Sequence, residues 1–131
     1  MMDINALRLA IMKHVILILL LALTAIGCNK TNETPLLLPP AAEPAAKIHN
    51  DRGIEYFHQG KSLDALIAFT QANVADSTAG EIHFNLALMQ HQQGKQKRAK
   101  NNFTLALKFS NGNKKILESK LLQKYLDLRP E

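Results

Sequence analysis

Two stretches decide the fold: Gly60-Lys-Ser-Leu-Asp-Ala65-Leu-Ile-Ala-Phe69-Thr-Gln-Ala72 and Gly94-Lys-Gln-Lys-Arg-Ala99-Lys-Asn-Asn-Phe103-Thr-Leu-Ala106. They superpose at a shift of 34 residues, with Gly, Ala, Phe and Ala in the same places. His49 and His83 coincide at the same shift. In each stretch, apolar and small residues recur at helical spacing after a glycine that suits the end of a preceding helix. Small residues at Gly53, Ala65, Ala72, Ala87, Ala99 and Ala106 let helix backbones approach closely, and Phe69 and Phe103 are sized to fill the space between hairpins.

Working outward, Pro44 suits a first helical turn. A helix is expected over residues 46–59, ended by Gly60, and a second from a Ser62 cap to Val74. Thr78-x-x-Glu81 reads as a capping box opening a third helix that Gly94 closes. A fourth is expected over 96–109, ahead of Asn111-Gly112-Asn113. A fifth is expected over 114–128, with Leu117, Leu121, Leu122, Tyr125 and Leu128 forming one apolar stripe and Pro130 barring continuation. Repeat arrays need a terminal cap over the last apolar face, and this helix fits that role.

The 34-residue period and the Gly, Ala, Phe and Ala positions resemble the tetratricopeptide repeat (TPR). The resemblance covers residues 46–113 as two repeats, 46–79 and 80–113, followed by a capping segment at 114–131. It departs from the family pattern at His49 and His83, where Trp is common, and at Arg52, Gln90, Ser77 and Asn111. The resemblance implies an all-α fold of two helix-turn-helix repeats and a concave groove lined by the first helix of each. Carried over residue by residue, the groove positions are Asn50, Ile54, Phe57 and His58, then Phe84, Leu88, His91 and Gln92. Such a surface suits an amphipathic helix or an extended apolar segment of another protein. The alternative is that Ile54, Phe57 and Leu88 are core, or are covered by apolar residues of the preceding linker. Two repeats with a cap stand near the lower size limit of a stable array, so self-association or a tight partner is a further expectation.

Ahead of the repeats lies a targeting segment. Arg8, Lys13 and His14 precede an apolar run from Val15 to Ile26. Twelve residues of helix span about 18 Å at ~1.5 Å per residue, short of a ~30 Å hydrocarbon core but right for a signal peptide. Ala25-Ile26-Gly27-Cys28 resembles a lipobox, with Ala25 where Leu is commoner. This implies a signal peptide over 1–27, cleavage before Cys28, and diacylglyceryl and N-acyl groups on Cys28. The chain then belongs in a bacterial envelope, and Asn29 after the Cys implies outer-membrane delivery facing the periplasm. Asp3 sits poorly ahead of a secretory run, so Met12 is the expected start. Residues 28–45 read as a tether: Pro35, Pro39, Pro40 and Pro44 favour extended geometry, reaching at most about 50 Å at ~3.1 Å per residue. Leu36, Leu37 and Leu38 are available to dock on the domain or on a partner.

Signs of catalysis are scarce. Cys28 is the sole cysteine. No phosphate loop, zinc-protease or serine-hydrolase pattern occurs, and carboxylates are scattered. His58 and His91 lack a third ligand for a metal. No enzyme activity, cofactor or metal is expected. The net charge is +5, and residues 95–124 hold nine basic side chains against Glu118 alone. That half would attract an anionic envelope polymer or lipid, the alternative function. Nucleic acid is not expected, because no aromatics interleave with the charges. The leading expectation is a membrane-anchored protein-interaction module in envelope assembly, such as secretion, pilus biogenesis or cell-wall maintenance.

Overall fold

The structure, a computed structural model, describes residues 3–23 and 32–128. Seven helices and no strands occur among them: α1 (Ile4–Leu23), α2 (Pro44–His58), α3 (Ser62–Ala75), α4 (Gly80–Gln92), α5 (Gln96–Lys108), α6 (Lys114–Leu117) and α7 (Lys120–Leu126). The fold is all-α. Residues 3–17, mostly in α1, are exposed, and α1 runs unbroken through Met12. No helix among the described residues is long and apolar enough to cross a membrane. Cys28 and the end of the apolar run lie outside the described residues.

The 34-residue period reappears in the backbone. Gly60 and Gly94 adopt φ +73° and +72°. A Cβ at either would meet nothing, so the left-handed conformation, not crowding, is what calls for glycine. Around them the same bonds repeat: Gly60 N–H to Phe57 O (3.0 Å) and Lys61 N–H to Tyr56 O (2.9 Å), then Gly94 N–H to His91 O (2.9 Å) and Lys95 N–H to Gln90 O (2.8 Å). These bonds satisfy the last carbonyls of α2 and α4 and turn the chain back into α3 and α5.

Several helix ends differ from expectation, each for a local reason. Glu43 caps α2, accepting from Ala46 N–H at 2.6 Å, with Pro44 in the first turn. Ser62 is the first residue of α3 rather than its cap; Lys61 holds the cap position without a side-chain bond. The Thr78–Glu81 capping box does not form. Thr78 instead donates from its N–H and its hydroxyl to Asp76 Oδ1, both at 2.8 Å, a local turn that competes with capping. Glu81 Oε1 accepts from Asn113 Nδ2 at 2.6 Å. Helix α4 starts at Gly80, where a Cβ would lie 2.6 Å from the Phe109 carbonyl oxygen. The expected fifth helix is broken into α6 and α7 at Ser119, whose hydroxyl caps α7 by accepting from Leu122 N–H at 3.0 Å. The break shifts the apolar phase: Ile116 and Leu122 are buried, while Leu117 and Leu128 are exposed.

The hairpins α2–α3 and α4–α5 pack side by side, with α4 central and residues 82–89 all buried. Ala65, Ala72, Ala99 and Ala106 are fully buried at the helix contacts. A Cβ on Gly53 would stand 2.5 Å from the Phe69 ring, so that glycine sets how closely α2 and α3 approach. Phe103 sits between Phe84 (ring centroids 5.8 Å, edge-on) and Tyr125 (5.0 Å). The exposed Arg52 and Glu55 on α2 occupy the places that Leu86 and Met89, both buried, hold on α4. Polar side chains at those two positions match their exposure on α2.

Candidate functional site

The face shared by α2, α4 and the α6–α7 segment is not empty. Residues 33–38 of the expected tether cross it in extended form before a turn at Pro39–Ala42 leads into α2. Two buried asparagines grip this segment by its main chain. Asn85 Oδ1 accepts from Leu36 N–H at 2.7 Å, and Asn85 Nδ2 donates to Leu36 O at 2.9 Å. Asn50 Nδ2 donates to the same carbonyl at 3.0 Å, and Asn50 Oδ1 accepts from Asn85 Nδ2 at 2.8 Å. Both side chains are fully buried. A buried amide without partners costs about 1–3 kcal/mol, and Leu36 supplies the partners that these two side chains do not supply to each other.

Side chains of the segment are held as well. Glu33 Oε2 accepts from the Ser119 hydroxyl at 2.6 Å, and Oε1 accepts from Leu121 N–H at 2.9 Å. Pro35 is buried and Leu38 is only 4% exposed, whereas Thr34 is exposed and Leu37 is 66% exposed. Beside the segment an open cleft of about 670 Å³ remains, with Phe84 among its lining and Glu81, Lys114, Lys115 and Lys120 around it.

The expected groove residues do not share one fate. Asn50 faces the groove and binds there. Phe84 and Leu88 are 2% and 0% exposed and belong to the core, so in this conformation they offer no open apolar surface to a partner. Ile54 and Phe57 are half-buried against the core, and Gln92 is half-buried. His58 is exposed and edge-on to Phe57 (5.5 Å). His91 belongs to a polar chain: its Nδ1 lies 2.8 Å from the Tyr125 hydroxyl oxygen, and that hydroxyl donates to Gln96 Oε1. The structure thus draws His91 toward Tyr125 of α7. Among the described residues no cluster of three or more potential metal ligands occurs.

Asn85, Glu33 and Ser119 were missed in the sequence. Asn85 sits one position past the groove position at Phe84. Its signal is an amide alone within the apolar run Ile82 to Met89, where burial demands partners.

Burial, then the nearby Lys124 ammonium, hold the His91 imidazole below its ordinary pKa, against an opposing pull from Glu33. Burial pushes the Tyr125 phenol up. A lowered imidazole pKa in the fold means the unfolded chain binds the proton more readily. This contribution to stability is present above the unfolded value of ~6.5 and is lost as pH falls through the folded value. Thermal melts from pH 7.5 downward should show a loss of stability across that window that His91→Gln flattens. An identical pH dependence in the variant would remove His91 from the account.

No protein-family model, curated protein or solved structure matches this chain.

Proposed function

We propose that the chain is a lipid-anchored interaction module of the bacterial envelope, built on two TPR-type hairpins, that binds another protein through an extended segment laid in its groove. The observation that carries this reading is the asparagine pair Asn50 and Asn85, which takes both the N–H and the C=O of Leu36. Main-chain recognition of this kind is independent of side-chain identity, and flanking pockets then supply selectivity. Two hairpins that repeat their turn chemistry at 34 residues support the TPR reading. The apolar run ending in Gly27-Cys28 supports the anchor.

The test is capture from native envelopes with the full chain in detergent. A partner should be retained at high salt and lost with Asn85→Ala. A partner that elutes with salt and ignores Asn85→Ala would favour the alternative, an anionic polymer or lipid held by Lys114, Lys115 and Lys120.

A further inference from the structure

Resting on the peptide-groove reading above, we propose that residues 33–38 are a resident ligand. The groove selects an extended segment of pattern Glu-x-Pro-Leu-x-Leu, and the chain's own copy occupies it until a partner's copy displaces it.

The pattern follows from which side chains the domain reads. Glu33 is held by the Ser119 hydroxyl and the Leu121 N–H. Pro35 and Leu38 are buried, and Leu36 is half-buried against the core and fixed by its backbone. Thr34 and Leu37 face outward and are unread. A mere linker would not need this. Among the described residues, the buried Asn50 and Asn85 amides have only each other and Leu36 as hydrogen-bond partners. They form a site for the main chain of a non-helical segment, and the tether is the segment that fills it.

Displacement is also favoured by the geometry. The segment adds no helix or sheet to the fold, and its described hydrogen bonds to the domain run through Glu33 and Leu36. The cleft of about 670 Å³ along its flank gives an incoming strand a place to begin. Lys114, Lys115 and Lys120 around that cleft outnumber Glu81 and Glu118, a small positive excess that favours a segment carrying an acidic residue. A tethered ligand competes at an effective concentration on the order of mM, so the closed state resists weak peptides and yields to tighter ones.

The experiment uses the full chain in detergent micelles and a fluorescent peptide with the sequence of residues 32–40. Glu33→Gln with Leu38→Ser weakens the resident segment. That variant should bind the peptide about tenfold or more tightly than the wild type. Adding Asn85→Ala should abolish binding, as should a peptide altered at its own Glu and last Leu. Equal binding by wild type and variant, or no binding by a variant with an unchanged helical signal, overturns the proposal. If the variant loses helix, the peptide should restore its melting transition; failure to do so makes the segment part of the core and also overturns it. Sedimentation showing wild-type dimers that exchange tethers would assign the groove to a second copy instead of a partner, and so overturns it too. If the peptide binds as expected but the wild type captures no envelope protein, the adaptor reading fails while the ligand pattern stands.

Discussion

The Phe84→Ser, Leu88→Ser double variant is expected to lose most of its helical circular dichroism signal at room temperature. Both side chains are almost completely buried on the central helix, and Phe84 packs edge-on to Phe103. Truncating a buried Phe costs about 3–5 kcal/mol and a buried Leu about 2–5 kcal/mol. Each new hydroxyl adds a desolvation penalty of roughly 1–3 kcal/mol if it finds no partner. A domain of this size has a total stability on the order of 5–15 kcal/mol, toward the lower end for so few residues. The double substitution therefore removes most or all of it. Lys97→Ser, on the exposed face of α5, should leave the signal and the melting temperature nearly unchanged. A folded double variant would mean that α4 is not the centre of the core.

That expectation reverses the view that Phe84 and Leu88 form an open groove, and the reversal shows where sequence reading stops. Helix ends set by local chemistry were legible. Gly60 and Gly94 close their helices as read, Pro44 opens one, and α5 ends within a residue of the expected place. Two local signals were ambiguous. Thr78 had both Glu81 and Asp76 within reach, and Asp76, two residues away, forms the bond. Ser119 lay inside an apolar pattern that read as one continuous helix, yet its hydroxyl starts a new one.

The groove was illegible for a different reason: its contents depend on pairings between distant residues. Leu36 meets Asn85 across 49 residues, and Glu33 meets Ser119 across 86. No periodicity encodes such pairings. The three leucines of the tether signalled only that the segment had something apolar to bury, on the domain or on a partner. Asn50 was placed in the groove by its repeat position. Asn85, its partner in gripping Leu36, fell outside the same template by one residue. A positional template carried from longer arrays assumes an open concave face. Here the tether and the α6–α7 segment cover that face, so the positions called apolar contacts become core.

Cys28→Ser is expected to move the protein from the detergent-extracted membrane fraction to the soluble fraction, or to leave an uncleaved precursor. Burial of an acyl chain contributes ~0.8 kcal/mol per methylene; one chain binds marginally, and two or three hold firmly. The anchor expected on Cys28 carries three, so loss of the thiol should remove nearly all membrane affinity in the mature chain. What remains would be the attraction of exposed lysines to anionic headgroups, which salt screens. Docking of the tether adds a geometric consequence. With Glu33 held on the domain, only Asn29 to Asn32 separate Cys28 from the folded part. Four residues reach at most about 14 Å at ~3.5 Å each, whereas the released tether would reach about 50 Å. On a lipidated Cys28 the docked domain would therefore sit against the bilayer surface, and displacement of the tether would let it reach outward. Fractionation with and without detergent, together with metabolic labelling by a fatty acid, reads the first effect. The wild type should label and require detergent; Cys28→Ser should not label, and its cleaved form should not require detergent. Wild-type protein found soluble and unlabelled would remove the anchor, and with it the 14 Å constraint.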